Sequence, residues 1–224
     1  MKQFVIGQKK VAVYAGGISD GPVIYLNTFS GEGGRVYETL QSADCPDFSL
    51  VEITQLRWDH DMSPWDVPPA VKDCTPCTGG ADDYLKLLAE KIIPTAEKEI
   101  PGTVSWRGIA GYSLAGLFAV YALYQTGLFS RAASMSGSFW FPGFKEYVFS
   151  HDMKKRPEHL YFSLGDKESR TKNPYFQTVQ KNTEEIEGLF RSRKIDTCFR
   201  LNPGGHFVNE AERTAAGIRW LLDR

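Results

Sequence analysis

The sequence predicts an α/β domain in which a mostly parallel central sheet carries helices on both faces. Three observations lead there. Strand-like and helix-like segments alternate along the chain. The strand-like segments are short, continuous apolar runs such as Val23-Ile24-Tyr25-Leu26, the pattern of strands buried on both sides. Near the middle, Gly111-Tyr112-Ser113-Leu114-Ala115-Gly116 joins one such run directly to a stretch of good helix formers. At 224 residues the chain is long enough for one sizeable core, read as a single domain over residues 1–224.

Composition narrows the function classes. With 42% hydrophobic and 24% charged residues the chain is ordinary for a globular protein. Its 26 Lys+Arg against 27 Asp+Glu leave a net charge of −1, so no basic stripe argues for nucleic acid. The opening Met1-Lys2-Gln3-Phe4-Val5-Ile6-Gly7 holds too short an apolar stretch for a signal peptide, and nothing approaches a membrane span. The expectation is a cytoplasmic protein with no membrane partner. The cysteines are Cys45, Cys74, Cys77 and Cys198. Cys74-Thr75-Pro76-Cys77 has no second ligand pair for zinc and lies in a loop rich in Pro and Gly, so both thiols are read as free.

Taken in order, Val11 to Tyr14 reads as a strand, ended by Ala15-Gly16-Gly17. Val23 to Leu26 follows and empties into the glycine-rich loop Asn27 to Gly34, which lacks the phosphate-loop string. Val36 to Gln41 reads as a short helix and Phe48 to Ile53 as a strand. The stretch from Trp58 to Pro69 is aromatic and proline-rich, hence an ordered loop. Trp58 and Trp65 within it either pack on the core edge or wall a substrate pocket, and His60 is a rival catalytic base. Asp59, His60 and Asp61 are adjacent, and adjacent residues of an extended chain point to opposite sides, so no metal site is expected. After Gly79-Gly80, Tyr84, Leu85, Leu88, Ile92 and Ile93 recur at helical spacing, with Asp82 and Asp83 in the first turn. Thr103 to Ala110 is the next strand, and a helix follows from Leu117 to Leu123. Arg131 to Phe141 reads as a strand and turn, Phe144 to His151 as a helix, and His159 to Leu164 as a strand. Asn173 to Arg191 is helical, Thr197 to Leu201 is the last strand, and Ala211, Ala215, Ile218 and Leu222 mark a closing helix.

Strand, tight turn with a serine, then helix is the setting of a nucleophile elbow, with Ala115 where the G-x-S-x-G pattern has its last glycine. Ser113 is thereby the candidate nucleophile, and the N–H of Leu114 at the helix N-terminus faces a developing oxyanion. The loop after the early strand would supply a second donor within Asn27 to Ser30, at Thr28 or Phe29. Ser136 and Ser138 lack the elbow context. Just past a late strand, Gly165-Asp166-Lys167-Glu168 offers Asp166 and Glu168 as acids, with Glu168 at the commoner spacing. Of 4 histidines only His206 sits in a loop between the last strand and last helix, in Asn202-Pro203-Gly204-Gly205-His206-Phe207. The order serine, acid, histidine is that of the α/β-hydrolase fold.

On these residues, together with Asp61-Met62-Ser63-Pro64-Trp65, Gly80-Ala81-Asp82-Asp83-Tyr84-Leu85 and Ser163-Leu164-Gly165-Asp166-Lys167-Glu168, the chain resembles the "Putative esterase" family of α/β-hydrolases. That family includes esterase D, enterochelin esterases and the antigen 85 mycolyltransferases. The resemblance spans most of the chain. It implies Ser113 as nucleophile, His206 as base and Glu168 as acid. The expected reaction is hydrolysis of a small-molecule carboxylic ester through an acyl-enzyme, with no metal or organic cofactor. Trp65 and Trp140 are expected to bind an apolar or aromatic acyl group. An acyltransferase with the same three residues and a non-catalytic binding protein on the same fold are the alternatives.

Overall fold

A computed structural model describes residues 1–70 and 75–224. Its strands are β1 (Lys2–Ile6), β2 (Lys9–Tyr14), β3 (Val23–Asn27), β4 (Ser49–Thr54), β5 (Asp66–Val67), β6 (Cys77–Thr78), β7 (Arg107–Tyr112), β8 (Arg131–Met135), β9 (His159–Gly165) and β10 (Asp196–Asn202). Eight of them form one sheet in the order β1-β2-β4-β3-β7-β8-β9-β10. From β4 to β10 every neighbouring pair is parallel, and β2 pairs antiparallel with both β1 and β4. β5 and β6 make a separate two-stranded ribbon. The expected parallel sheet is therefore present. β1 is an addition to the expected elements: it is a largely exposed edge strand whose apolar run, Phe4-Val5-Ile6, is too short to signal it.

The helices are α1 (Gly33–Ser42), α2 (Trp58–Asp61), α3 (Ala81–Leu87), α4 (Ile93–Ala96), α5 (Leu114–Gln125), α6 (Phe144–Ser150), α7 (Val179–Ser192) and α8 (Glu210–Leu222). α1 and α8 cover one face, over Ile24, Leu26, Leu50, Ala110, Ala133 and Tyr161. α3, α4, α5, α6 and α7 cover the other, over Val23, Tyr25, Val51, Ile53, Ile109 and Phe162. The alternation of Val23, Ile24, Tyr25 and Leu26 between the two cores is the period of two that makes a continuous apolar run necessary here. α5 has no polar stripe because it has no solvent face: every residue from Leu114 to Tyr124 is buried. Each large side chain so enclosed contributes roughly 1.5–3 kcal/mol.

Between α3 and α4, Leu88–Ile92 is a π-helical turn. Pro94, inside the following turn, has no N–H to donate, and the wider turn lets the helix continue past that missing bond. β7 begins at Arg107, not Thr103, and runs to Tyr112 because its register pairs Asn27 with Gly111 and Tyr112 with Met135. The strand thus ends one residue before Ser113, and α5 begins one residue after it. Of the Cys-x-x-Cys pair, Cys74 lies outside the described residues. Cys77 sits on β6 rather than in a loop, and burial, with Asp59 nearby, pushes its thiol up to about 11. Among the described residues, no helix is long and apolar enough to cross a membrane.

Candidate active site

The parallel strands all point their C-terminal ends toward one sheet edge, where the loops after β3, β7, β9 and β10 converge. Ser113 holds φ 58°, ψ −123°, a backbone conformation that non-glycine residues rarely adopt. The surroundings enforce it. The Ser113 N–H donates to the Met135 carbonyl at 3.0 Å, and the Ser113 carbonyl accepts from Gly116 and Leu117 as the helix starts. A Cβ on Gly111 would stand 2.5 Å from the Cβ of Ala115, and one on Gly116 would stand 2.8 Å from the Ser134 hydroxyl. Neither position admits a side chain, which is why the glycines bracket the turn.

His206 arrives from the loop after β10, where Gly204 takes φ +102°. Its Nε2 lies 3.0 Å from the Ser113 hydroxyl and its Nδ1 lies 2.7 Å from Oε2 of Glu168. Glu168 stands in the loop after β9 with its carboxylate only 5% exposed. The second oxygen, Oε1, accepts from the Gly165 N–H at 2.6 Å and the Ser136 hydroxyl at 2.7 Å, and the Arg213 guanidinium lies 3.4 Å away. Burial pushes the Glu168 carboxyl up. The His206 hydrogen bond and charge, with those from Ser136 and Gly165, outweigh it and hold the group below the usual carboxylate range. Asp166 turns elsewhere and accepts the Gly204 N–H at 2.8 Å. It shapes the histidine loop and is not brought to the imidazole.

Of the two loop residues considered as oxyanion donors, Thr28 does not offer its N–H to the site. That N–H donates to the Ile53 carbonyl at 3.0 Å, continuing the sheet, and its hydroxyl donates to Glu52 at 2.9 Å. Phe29 is the next residue, 67% exposed, and lines the same cavity as Ser113. The buried Glu52 carboxylate also accepts the Gly33 N–H at 2.7 Å, so it fixes both ends of the loop that carries Phe29. Leu114 opens α5, where the first N–H groups have no intrahelical acceptor.

The cavity above Ser113 measures about 760 Å³ and is walled by Phe29, Trp58, Trp140, Phe176 and Phe207, with Glu32, Asp59 and Glu210 among its polar lining. Trp140, one of the two tryptophans expected to meet substrate, is among these walls. Trp65 is not: it packs edge-on to Phe141 at 5.6 Å and donates its indole N–H to the Pro142 carbonyl at 3.0 Å, away from the cavity. Trp58 takes the wall position, not from a loop as expected but as the first residue of α2, and meets Phe29 edge-on at 5.1 Å. His60 is structural, its Nδ1 2.7 Å from the Thr78 hydroxyl and its ring filling the space beside Gly80. Asp61 pairs with Lys9 in the interior, and Asp59 accepts from Thr75.

A family model described as "Putative esterase" matches residues 33–210. The chain belongs to this esterase family. A curated relative, described as uncharacterized protein YbbA of Bacillus subtilis (strain 168), is 24% identical over 215 residues, covering 91% of this chain and 86% of the relative. Among solved structures, siderophore hydrolase EstB from Aspergillus nidulans matches with TM-score 0.78 at 22% identity, over 99% of this chain and 94% of that one. An IroE-like serine hydrolase from Shewanella oneidensis matches with TM-score 0.77 at 19% identity, over 99% and 79%. These likenesses establish the α/β-hydrolase fold for this member of the esterase family.

Sequence reasoning passed over several of the residues at this esterase's site. In the sequence Ser136 and Ser138 are marked only by lacking the elbow context, yet Ser136 holds Glu168, and the Ser138 hydroxyl lies 3.3 Å from that of Ser113. Ser136 also has a positive φ of 46°, which no local motif announces. Arg213 sits on α8 outside the apolar spacing used to find that helix, and nothing in its neighbourhood marks it.

Proposed function

We propose that the protein is a serine esterase in which Ser113 attacks an ester carbonyl, His206 is the general base and Glu168 orients and stabilises His206. The observation that carries this reading is the unbroken chain from Ser113 Oγ to His206 Nε2 at 3.0 Å and from His206 Nδ1 to Glu168 Oε2 at 2.7 Å. A carboxylate held ionised accepts a hydrogen bond from Nδ1–H and keeps the proton on that nitrogen, which leaves the Nε2 lone pair directed at the serine hydroxyl. Ser113 loses its proton to Nε2 as it bonds to the carbonyl carbon. The N–H groups of Leu114 and Phe29 receive the oxyanion, each such donor being worth roughly 2.7–4 kcal/mol. His206 returns the proton to the leaving alcohol, and water then repeats the sequence to release the acid. The aromatic walls favour a substrate with an apolar or aromatic group beside the ester, a small molecule that fits the cavity.

The test is fluorophosphonate labelling together with turnover of p-nitrophenyl esters. The native chain should label and turn over, whereas Ser113→Ala should do neither and His206→Ala should label at a small fraction of the native rate. Undiminished turnover by pure Ser113→Ala refutes the reading.

A further inference from the structure

The guanidinium of Arg213 is buried inside the candidate site, its side chain only 4% exposed. A buried guanidinium must be paired and hydrogen-bonded to persist, so what it binds shows what it is for. Its Nη2 donates to the Pro203 carbonyl at 2.9 Å and its Nη1 to the Gly205 carbonyl at 3.1 Å, two bonds into the loop that ends in His206. Nη1 also lies 3.1 Å from the Tyr112 hydroxyl and 3.4 Å from Oε1 of Glu168. Glu168 is its one carboxylate partner among the described residues. Tyr112, the residue before Ser113, donates a hydrogen bond from its hydroxyl to the His206 carbonyl at 2.6 Å.

We propose that Arg213 is a positioning residue that locks the acid loop, the histidine loop and the nucleophile strand into one register, with Tyr112 as its bridge to the strand. This rests on the esterase reading above. The acid and histidine loops follow β9 and β10 while Tyr112 closes β7, and the sheet alone aligns strands, not the loops beyond them. Arg213, anchored on the rigid α8, reaches all three. Its planar fork satisfies two carbonyls of one loop at once, a task a lysine point charge cannot share. Its charge also engages the Glu168 oxygen that His206 does not use, which leaves Oε2 for the imidazole.

The experiment compares native chain, Arg213→Met, Arg213→Lys and Tyr112→Phe, using p-nitrophenyl butyrate for kcat and KM, the pH profile of kcat/KM, and thermal melts for folding. Loss of the clamp misplaces the base, so folded Arg213→Met should lose on the order of 10²-fold in kcat while KM stays within about 3-fold. Its acid limb should move to higher pH by about half a unit, because imidazolium forms more easily once that cation is gone. The other charged or titratable groups facing His206 are Glu168 and Tyr112 at its sides and Glu32, Asp59 and Glu210 across the cavity, and all are unchanged by the substitution. Arg213→Lys should keep the native acid limb and recover kcat only in part. Tyr112→Phe should lower kcat about 10-fold with the native limb. Native kcat and native limb in Arg213→Met overturn the proposal, as does a loss confined to KM. Should Arg213→Met not fold, native kcat in both Arg213→Lys and Tyr112→Phe overturns it. An inactive native chain would instead refute the esterase reading itself.

Discussion

Replacing Glu168 by glutamine keeps its size and removes its charge, and the donors around it decide what the amide does. Oε1 of Glu168 faces the Gly165 N–H, the Ser136 hydroxyl and the Arg213 guanidinium, while among the described residues Oε2 faces only Nδ1 of His206. In Glu168→Gln the amide oxygen must turn to the donor-rich side, since an NH2 there would meet three donors. The NH2 then points at Nδ1 and forces it to accept. The imidazole proton moves to Nε2, the atom that should take the proton of Ser113. A base of the wrong tautomer cannot act, and the same acid-to-amide change in a serine-protease triad lowers kcat about 10⁴-fold. The expectation here is a loss of about 10³–10⁴ in kcat, or about 4–5.5 kcal/mol, with KM little changed. Steady-state hydrolysis of p-nitrophenyl butyrate measures it, with Asp166→Asn as the control. Asp166 holds the Gly204 N–H and does not reach the imidazole, so its substitution should cost less than about 10-fold. Glu168→Gln within about 3-fold of native activity, or Asp166→Asn as the more damaging change, would refute this assignment.

Three further outcomes follow from the same geometry. Phe29→Pro deletes a backbone N–H and should lower kcat about 10²–10³-fold, whereas Phe29→Ala, which keeps that N–H, should leave kcat within a few-fold; steady-state kinetics separates them. Gly111→Ala drives a methyl against Ala115 and should cost at least about 2 kcal/mol, seen as a fall in Tm of about 4–8 °C. Because Glu168 is held below its ordinary value in the folded chain, its stabilisation is complete above the unfolded-state pKa and disappears as pH falls through the folded one. The stability gap between native chain and Glu168→Gln, from urea unfolding, should therefore narrow between pH 6 and pH 3.

The features legible in the sequence are those whose physical cause is local. A strand buried on both faces needs an unbroken apolar run, and Val23 to Leu26 has one. A strained serine between strand and helix needs small neighbours, and Gly111, Ala115 and Gly116 provide them. The core strands, the loop carrying Ser113 and the loop carrying His206 can all be placed that way, because each announces itself within a short stretch of chain. Where the chain's own pattern was weak, as in the exposed edge strand β1 or the π-helical turn before Pro94, no such reading was possible.

Other features depend on which chain segments meet, and only the tertiary structure decides those. Asp166 and Glu168 are two residues apart and equally acidic; the turn after Gly165 sends one toward Gly204 and the other under His206. Thr28 and Phe29 are adjacent, and the sheet claims the N–H of the first. Trp58 and Trp65 stand seven residues apart, yet one walls the cavity from α2 and the other is turned away to the Pro142 carbonyl. Arg213 lies 45 residues from Glu168, beyond any local pattern, and is placed beside it by the packing of α8 on the sheet. Propensity and periodicity act over one or two turns of chain, so by itself the sequence determined the scaffold and the stations along it, while the hydrogen-bond partners at each station were set by the folding of distant segments onto one sheet edge.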